Sequence, residues 1–131
     1  MTEHWRGIMP IVATPFDERG ALDEAGLKRL VEFCIEAGAT GLVGPANASE
    51  FSTLSDDERR RWIEIVVAAA AGRVPVVASI TSGHALPAVD LARFAEDAGA
   101  DPDRGARLRD AAVGGRDEEF HRGRAEHEGL L

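Results

Sequence analysis

Residues 27–44 read LKRLVEFCIEAGATGLVG, and a change of hydrophobic period inside this stretch decides the fold. Apolar residues first recur at steps of three and four, which predicts an amphipathic helix that begins near Asp23 and ends at Gly38. The residues expected on its inner face are Leu27, Leu30, Val31, Cys34 and Ile35. The segment TGLVG, residues 40–44, then predicts a short buried strand.

The same alternation of helix and strand signals continues on both sides of this stretch. Residues 7–13 form an apolar run that predicts a first strand. Residues 55–58 (SDDE) have the pattern of a capping box, which predicts the start of a second helix. A third strand over residues 74–80 and a third helix from Pro87 to Gly99 follow. This order is typical of βα units that build a parallel sheet.

The composition changes sharply after residue 100. Of the first 100 residues 49 are hydrophobic, against 9 of the last 31. A segment rich in Arg, Asp, Glu and Gly buries too little apolar surface to offset its ordering entropy. The sequence therefore predicts one α/β domain over residues 1–100 and a polar tail over residues 101–131, which is disordered or the product of a frame shift.

The overall charge argues against several classes of partner. The chain carries 23 acidic and 15 basic side chains, for a net charge of -8, so we expect binding neither to nucleic acid nor to a membrane surface. Its apolar runs are shorter than the roughly 18 residues that a membrane span needs. The first ten residues, MTEHWRGIMP, lack the pattern of a signal peptide. We therefore expect a cytoplasmic protein in which Cys34 stays reduced.

Four segments together carry a family resemblance. They are GIMPIVATPFD (7–17), residues 27–62 ending in PANASEFSTLSDDERRRW, RVPVVAS (73–79) and AVDLARFAEDAGAD (88–101). In this order and spacing they resemble the N-terminal part of the dihydrodipicolinate synthase and N-acetylneuraminate lyase family. The resemblance implies a (β/α)8 TIM barrel, which needs roughly 250 residues. The chain would then hold an incomplete barrel, about its first three βα units.

The resemblance also implies a chemistry. Such proteins are class I aldolases, which form or break a carbon-carbon bond beside a Schiff base of pyruvate or another 2-oxo acid. They use no cofactor, and their Schiff-base lysine and proton-relaying tyrosine lie in the second half of the barrel. The aldehyde partner, the direction of the reaction and the oligomeric state are not indicated by the sequence.

The residues of this chain argue against a catalytic group of that kind. Lys28 is its single lysine, and there is no tyrosine. Lys28 lies four residues from both Glu24 and Glu32 on the predicted outer helix face, where ion pairs keep an amine protonated. A Schiff-base lysine must instead be neutral. We therefore expect no catalytic residue here and an inactive chain on its own.

A substrate-binding element is expected after the second strand. Where the family usually reads Gly-Thr-Thr-Gly-Glu and grips the pyruvate carboxylate, residues 46–50 read ANASE. The Asn47 side chain and the backbone amides around Ala48 and Ser49 can still form an anion nest. Thr14 and Ser79, at the ends of the first and third strands, are expected on the same face. Because Asn47 and Ala48 replace the two threonines of the family's Gly-Thr-Thr-Gly-Glu element, the substrate of an intact relative could be pyruvate or another 2-oxo acid.

Three other motifs favour structural interpretations. His121, Glu126 and His127 have a spacing that matches no zinc-binding motif, so we expect no metal site. The loop 81–84 (TSGH) is expected to be a hydrogen-bonded turn and not an acid-base site. The run 59–61 (RRR) is expected to form a solvated face of the second helix.

Three hypotheses follow. The first is an N-terminal part of a Schiff-base aldolase, inactive alone. The second is a self-associating α/β interaction module, and the third is one half of a split aldolase whose partner chain supplies the lysine and the tyrosine. Because three of eight barrel strands leave open sheet edges, homo-oligomers or aggregation are expected unless another chain completes the sheet.

Overall fold

The computed structural model describes residues 6–100. Within that range the chain forms three α-helices and two short strands in the order expected for βα units. In chain order they are α1 (Glu24–Glu36), β1 (Leu42–Gly44), α2 (Asp56–Ala70), β2 (Val76–Ala78) and α3 (Ala85–Asp97). Two short 3-10 turns, Asn47–Ser49 and Phe51–Thr53, lie between β1 and α2. The predicted tail, residues 101–131, lies outside the described residues.

The helix starts follow from local hydrogen bonds that the sequence indicates. The Asp23 side chain accepts a hydrogen bond of 2.9 Å from the amide of Gly26 and caps α1. Ser55 and Glu58 form the complete capping box, since each side chain accepts from the other residue's amide. Both predicted starts are confirmed. The third helix begins at Ala85, before the predicted Pro87, because a proline in the first turn removes no intrahelical hydrogen bond.

The sheet is parallel, and its first predicted strand is irregular. β1 pairs with β2 in the register Leu42 to Val76 and Gly44 to Ala78. The segment 8–12 lies beside β1, but it makes only one isolated bridge, between Ile11 and Val43. The Val43 amide donates to the Pro10 carbonyl and the Val12 amide donates to the Val43 carbonyl, each at 3.0 Å. Pro10 has no N–H with which to continue this ladder, so the regular strand predicted over residues 7–13 does not form.

The core lies between the helices and the sheet. Most of its largest fully buried side chains belong to α1, β1 and α2; these are Leu27, Val31, Leu42, Trp62, Ile63 and Val66. Of the five residues predicted to face inward from α1, Leu27 and Val31 are buried and the other three are half-buried. No helix of residues 6–100 is long and apolar enough to cross a membrane.

Two bidentate ion pairs tie α1 to α2 and to the segment that follows α2. Arg61 donates to both carboxylate oxygens of Glu24, at 2.7 and 2.8 Å. Arg73 likewise binds both oxygens of Glu32. The direct partners of the two glutamates are thus arginines from neighbouring elements, whose planar fork fits a carboxylate. The charge of Lys28 adds a weaker attraction to Glu24 that also lowers the pKa of its carboxyl. Lys28 itself is exposed on α1, as predicted.

Candidate substrate-binding site

The carboxyl ends of the parallel segments meet at one edge of the sheet. The amide of Ser79, just after β2, donates to the carbonyl of Gly44 at the end of β1 at 3.0 Å. The loop 46–50 begins at this point. Thr14 follows the segment 8–12 and contacts the same loop. The structure therefore brings the sequence-predicted residues Thr14, Ser49 and Ser79 to the same edge.

Thr14 and Ser49 hold the loop through two buried hydrogen bonds. The Thr14 hydroxyl donates to the Ser49 carbonyl at 2.6 Å. The Ser49 hydroxyl donates to the Val12 carbonyl, also at 2.6 Å. Each hydroxyl has a single proton, and both protons are committed to the backbone. Ser49 is fully buried and Thr14 is buried as well. These two residues therefore position the loop, and their contact with substrate stays a prediction.

The backbone N–H groups of Asn47 and Ala48, at the start of the first 3-10 turn, point to no acceptor within residues 6–100. The amides of Ser49 and Glu50 donate to the carbonyls of Ala46 and Asn47, each at 2.9 Å. In residues 6–100 no acceptor binds the amides of Asn47 or Ala48, and both residues are exposed. Two successive unpaired N–H groups beside a polar amide side chain can bind an anion.

A tight contact under the loop fixes the end of β1. Gly44 has φ 152°, and a Cβ at this position would collide with the indole ring of Trp62 and lie 3.0 Å from the Ser49 hydroxyl. Trp62 is fully buried. Glycine is therefore needed where the chain leaves the sheet, because only glycine lets the loop lie directly on Trp62.

Ser79 is paired with a second hydroxyl. Its Oγ lies 3.0 Å from Thr81 Oγ1, in an exposed position. The loop continues through Ser82, whose hydroxyl accepts a hydrogen bond of 3.3 Å from the His84 amide. This confirms the hydrogen-bonded turn predicted for residues 81–84.

Arg59 is the functional candidate that sequence reasoning missed. The run 59–61 was predicted to be solvated, but Arg59 is only 7% exposed. Its Nη2 donates to the Thr81 carbonyl at 2.7 Å, and its guanidinium lies 5.3 Å from the centre of the Phe51 ring. Burial lowers the pKa of its guanidinium, while the charge of Asp56 opposes that shift. Helical spacing would have revealed the burial, since Arg59 precedes Trp62 and Ile63 by three and four residues.

The other two arginines of the run, Arg60 and Arg61, each form an ion pair. Arg60 lies 3.6 Å from Asp57 and 5.8 Å from the centre of the Phe94 ring. Arg61 binds Glu24, as described above.

Within residues 6–100, no group of three or more His, Cys, Asp or Glu side chains is placed to hold a metal ion. His121, Glu126 and His127 lie outside the described residues.

Comparison with known proteins identifies the family of the chain. Residues 4–103 match the sequence profile of the Dihydrodipicolinate synthetase family. The chain is 45% identical over 96 residues to a 4-hydroxy-tetrahydrodipicolinate synthase of Brucella abortus, a match that covers 73% of this chain and 33% of that protein. The chain therefore spans about a third of the length of the curated relatives it matches.

Solved structures agree with the sequence match. An N-acetylneuraminate lyase from Mycoplasma synoviae aligns with a TM-score of 0.68 and 32% identity, over 71% of this chain and 32% of that one. A prophage protein of the dihydrodipicolinic acid synthase family from E. coli K12, solved in complex with pyruvate, aligns with a TM-score of 0.70 and 35% identity, over 72% and 32%. These are TIM-barrel proteins, and residues 6–100 form an α/β part of that architecture. By its sequence profile, its relatives and its fold, the chain belongs to the dihydrodipicolinate synthetase family.

Proposed function

We propose that residues 6–100 supply the carboxylate-binding end of a Schiff-base aldolase or lyase that acts on pyruvate or another 2-oxo acid. In this proposal they form about the first three βα units of an eight-unit barrel. The Schiff-base lysine and the proton-relaying tyrosine come from residues other than these. The observation that carries the proposal is the pair of unpaired amides of Asn47 and Ala48 at the carboxyl ends of the strands.

The amides fit one end of a 2-oxo acid. A carboxylate accepts charge-assisted hydrogen bonds from two N–H groups at once, and the Asn47 side chain offers a further donor. The buried hydrogen bonds of Thr14 and Ser49 already hold the loop in place. Little conformational entropy of the loop is therefore lost when the ligand binds. The carboxyl ends of the strands are also where active sites of TIM-barrel enzymes lie.

Lys28 does not fit the role of the reactive amine. It is exposed on α1. A Schiff base forms when a neutral amine attacks the ketone carbon and water leaves, and such an amine is activated by desolvation, which the exposed Lys28 lacks. We therefore propose that this chain positions the substrate carboxylate and that an amine from elsewhere completes the reaction.

Complementation tests this proposal. The chain is mixed with a polypeptide that holds the remaining two thirds of the Brucella abortus relative, and pyruvate and sodium borohydride are added. We expect pyruvate-dependent reductive trapping on the added polypeptide only when both chains are present. As a matched control, Lys28→Arg should leave the trapping unchanged.

Two outcomes would overturn the proposal. One is the absence of trapping in a mixture that forms a stable complex, under conditions in which the intact relative is trapped. The other is an adduct on Lys28 in the chain alone, because that result would place the reactive amine within these residues.

A further inference from the structure

The Ser79 hydroxyl differs from the other two hydroxyls predicted to line the site. Those of Thr14 and Ser49 donate to backbone carbonyls, whereas Ser79 Oγ is paired with Thr81 Oγ1 at 3.0 Å. When two hydroxyls share one hydrogen bond, one of their two protons stays free. The Ser79–Thr81 pair can therefore donate a hydrogen bond to a ligand at the carboxyl end of β2.

Arg59 is bonded to one of the two residues of this pair. Its Nη2 holds the Thr81 carbonyl at 2.7 Å, and Thr81 carries the hydroxyl that bonds Ser79. The guanidinium carbon lies over the Phe51 ring, 5.3 Å from its centre, and Phe51 belongs to the turn that follows loop 46–50. Arg59 thus connects the two strand-end loops that carry the predicted site residues.

The burial of Arg59 is poorly explained by stability alone. Its Nε is buried without a hydrogen-bond partner, and in the described part of the chain no carboxylate lies within 4.0 Å of its guanidinium. Burying a charge with an unsatisfied donor is unfavourable, and an apolar side chain of similar length would fill the same space without that cost. What an apolar side chain could not replace is the hydrogen bond to Thr81.

We propose that Arg59 is a positioning residue that acts through Thr81 to aim the Ser79 hydroxyl at the bound 2-oxo acid. The inference rests on the proposed function, because it assumes that the ligand carboxylate lies at Asn47 and Ala48. It adds a second polar contact to the ligand, from the end of β2, and it assigns a function to a buried charge on α2.

Backbone order is the first readout, measured by 15N relaxation on the full chain. Arg59→Met should lower the order parameters of residues 80–82 from about 0.85 to below about 0.6 without lowering the thermal midpoint. Arg59→Lys keeps a charge and a donor and should restore part of the order. Arg60→Met, on the same turn, is the matched control and should leave residues 80–82 unchanged.

Pyruvate affinity is the second readout, measured by titration of the same samples. Ser79→Ala and Arg59→Met should each weaken pyruvate binding about fivefold to tenfold, as expected for one lost hydrogen bond. Unchanged order and unchanged pyruvate affinity in Arg59→Met would overturn the inference alone. If Arg59→Met does not fold, Arg59→Lys is measured in its place. A partial loss of order confined to residues 80–82, together with weaker pyruvate binding, supports the inference. Wild-type order with wild-type affinity, or an equal loss of order across all helices, overturns it. An absence of pyruvate binding by the wild-type chain would overturn the proposed function as well.

Discussion

The hydroxyl of Thr14 donates to the carbonyl of Ser49 at 2.6 Å, across 35 residues of sequence and in a fully enclosed position. Ser49 in turn donates its own hydroxyl to Val12, so the end of the first extended segment and the loop after β1 are held together from both sides. The exposed amides of Asn47 and Ala48 lie directly before Ser49. The position of the candidate carboxylate site therefore depends on this pair.

Thr14→Val should destabilise the fold by about 1–3 kcal/mol, because it leaves the buried Ser49 carbonyl without its donor while it preserves the side-chain shape. Denaturant unfolding measures the change. Thr53→Val is a matched control, since the Thr53 hydroxyl also donates to a carbonyl, that of Glu50 at 2.9 Å, but is exposed. The control should change stability by less than about 0.5 kcal/mol. Equal effects of the two variants would contradict the importance of the buried pair.

Gly44→Ala should cost about 2 kcal/mol or more, because the added methyl group meets the Trp62 ring at a backbone conformation that favours glycine. Trp62 is fully enclosed and cannot move aside without disturbing the core. Thermal unfolding of the variant gives the measurement. Gly83→Ala is the control, since a Cβ there meets nothing within 4 Å. A tolerated alanine at position 44 would show that the loop does not rest on Trp62.

The stability that Glu24 contributes should depend on pH. Its hydrogen bonds to Arg61 hold the pKa of the Glu24 carboxyl below its ordinary value of 4.5. A carboxyl whose pKa is lower in the folded chain stabilises the fold above its unfolded pKa, and this contribution disappears as the pH falls through the folded pKa. Glu24→Gln should therefore be less stable than wild type at pH 7 and equally stable at the acid end of the titration.

Urea unfolding midpoints at a series of pH values test this expectation. Glu18→Gln serves as the matched control, because Glu18 is exposed and forms no ion pair among residues 6–100. Its curve should follow that of the wild type at every pH. A difference between wild type and Glu24→Gln that persists unchanged into acid would contradict the assignment to Arg61.

The 131-residue chain alone should associate as its concentration rises. In the described residues no strand pairs with the outer edge of β2, and Ile8 and Ile11 beside the other edge are 76% and 45% exposed. Open edges and exposed apolar side chains favour pairing between chains. Sedimentation velocity over a hundredfold dilution series should show a concentration-dependent mass. A monomer at all concentrations with a sharp, cooperative melt would contradict this prediction.

Local signals predicted most of the helices, and tertiary contacts decided what the sequence missed. Asp23 and the Ser55–Glu58 box cap their helices through bonds that span three residues, so their effect can be read from the sequence. The burial of Arg59 can be inferred from its helical spacing to Trp62 and Ile63, but its hydrogen bond to the Thr81 carbonyl, 22 residues away, cannot be read from the sequence.

The sequence predicted which edge of the sheet carries the candidate site, but not the hydrogen-bond partners of its residues. The sequence indicated that Thr14, Ser49 and Ser79 share one edge of the sheet. It could not indicate that the first two hydroxyls are committed to carbonyls 35 and 37 residues away. The role of all five predicted residues in binding substrate stays a prediction.

Carboxylate binding at Asn47 and Ala48 is tested most directly by titrating the 15N-labelled chain with pyruvate and following the backbone amide signals. Affinity in the millimolar range is expected, because the proposed contacts involve only one end of the ligand. We expect saturable shifts that are largest at Asn47 and Ala48, and smaller shifts when acetate competes for the same amides. Saturable shifts elsewhere, or no saturable shift at these two amides, would contradict this expectation.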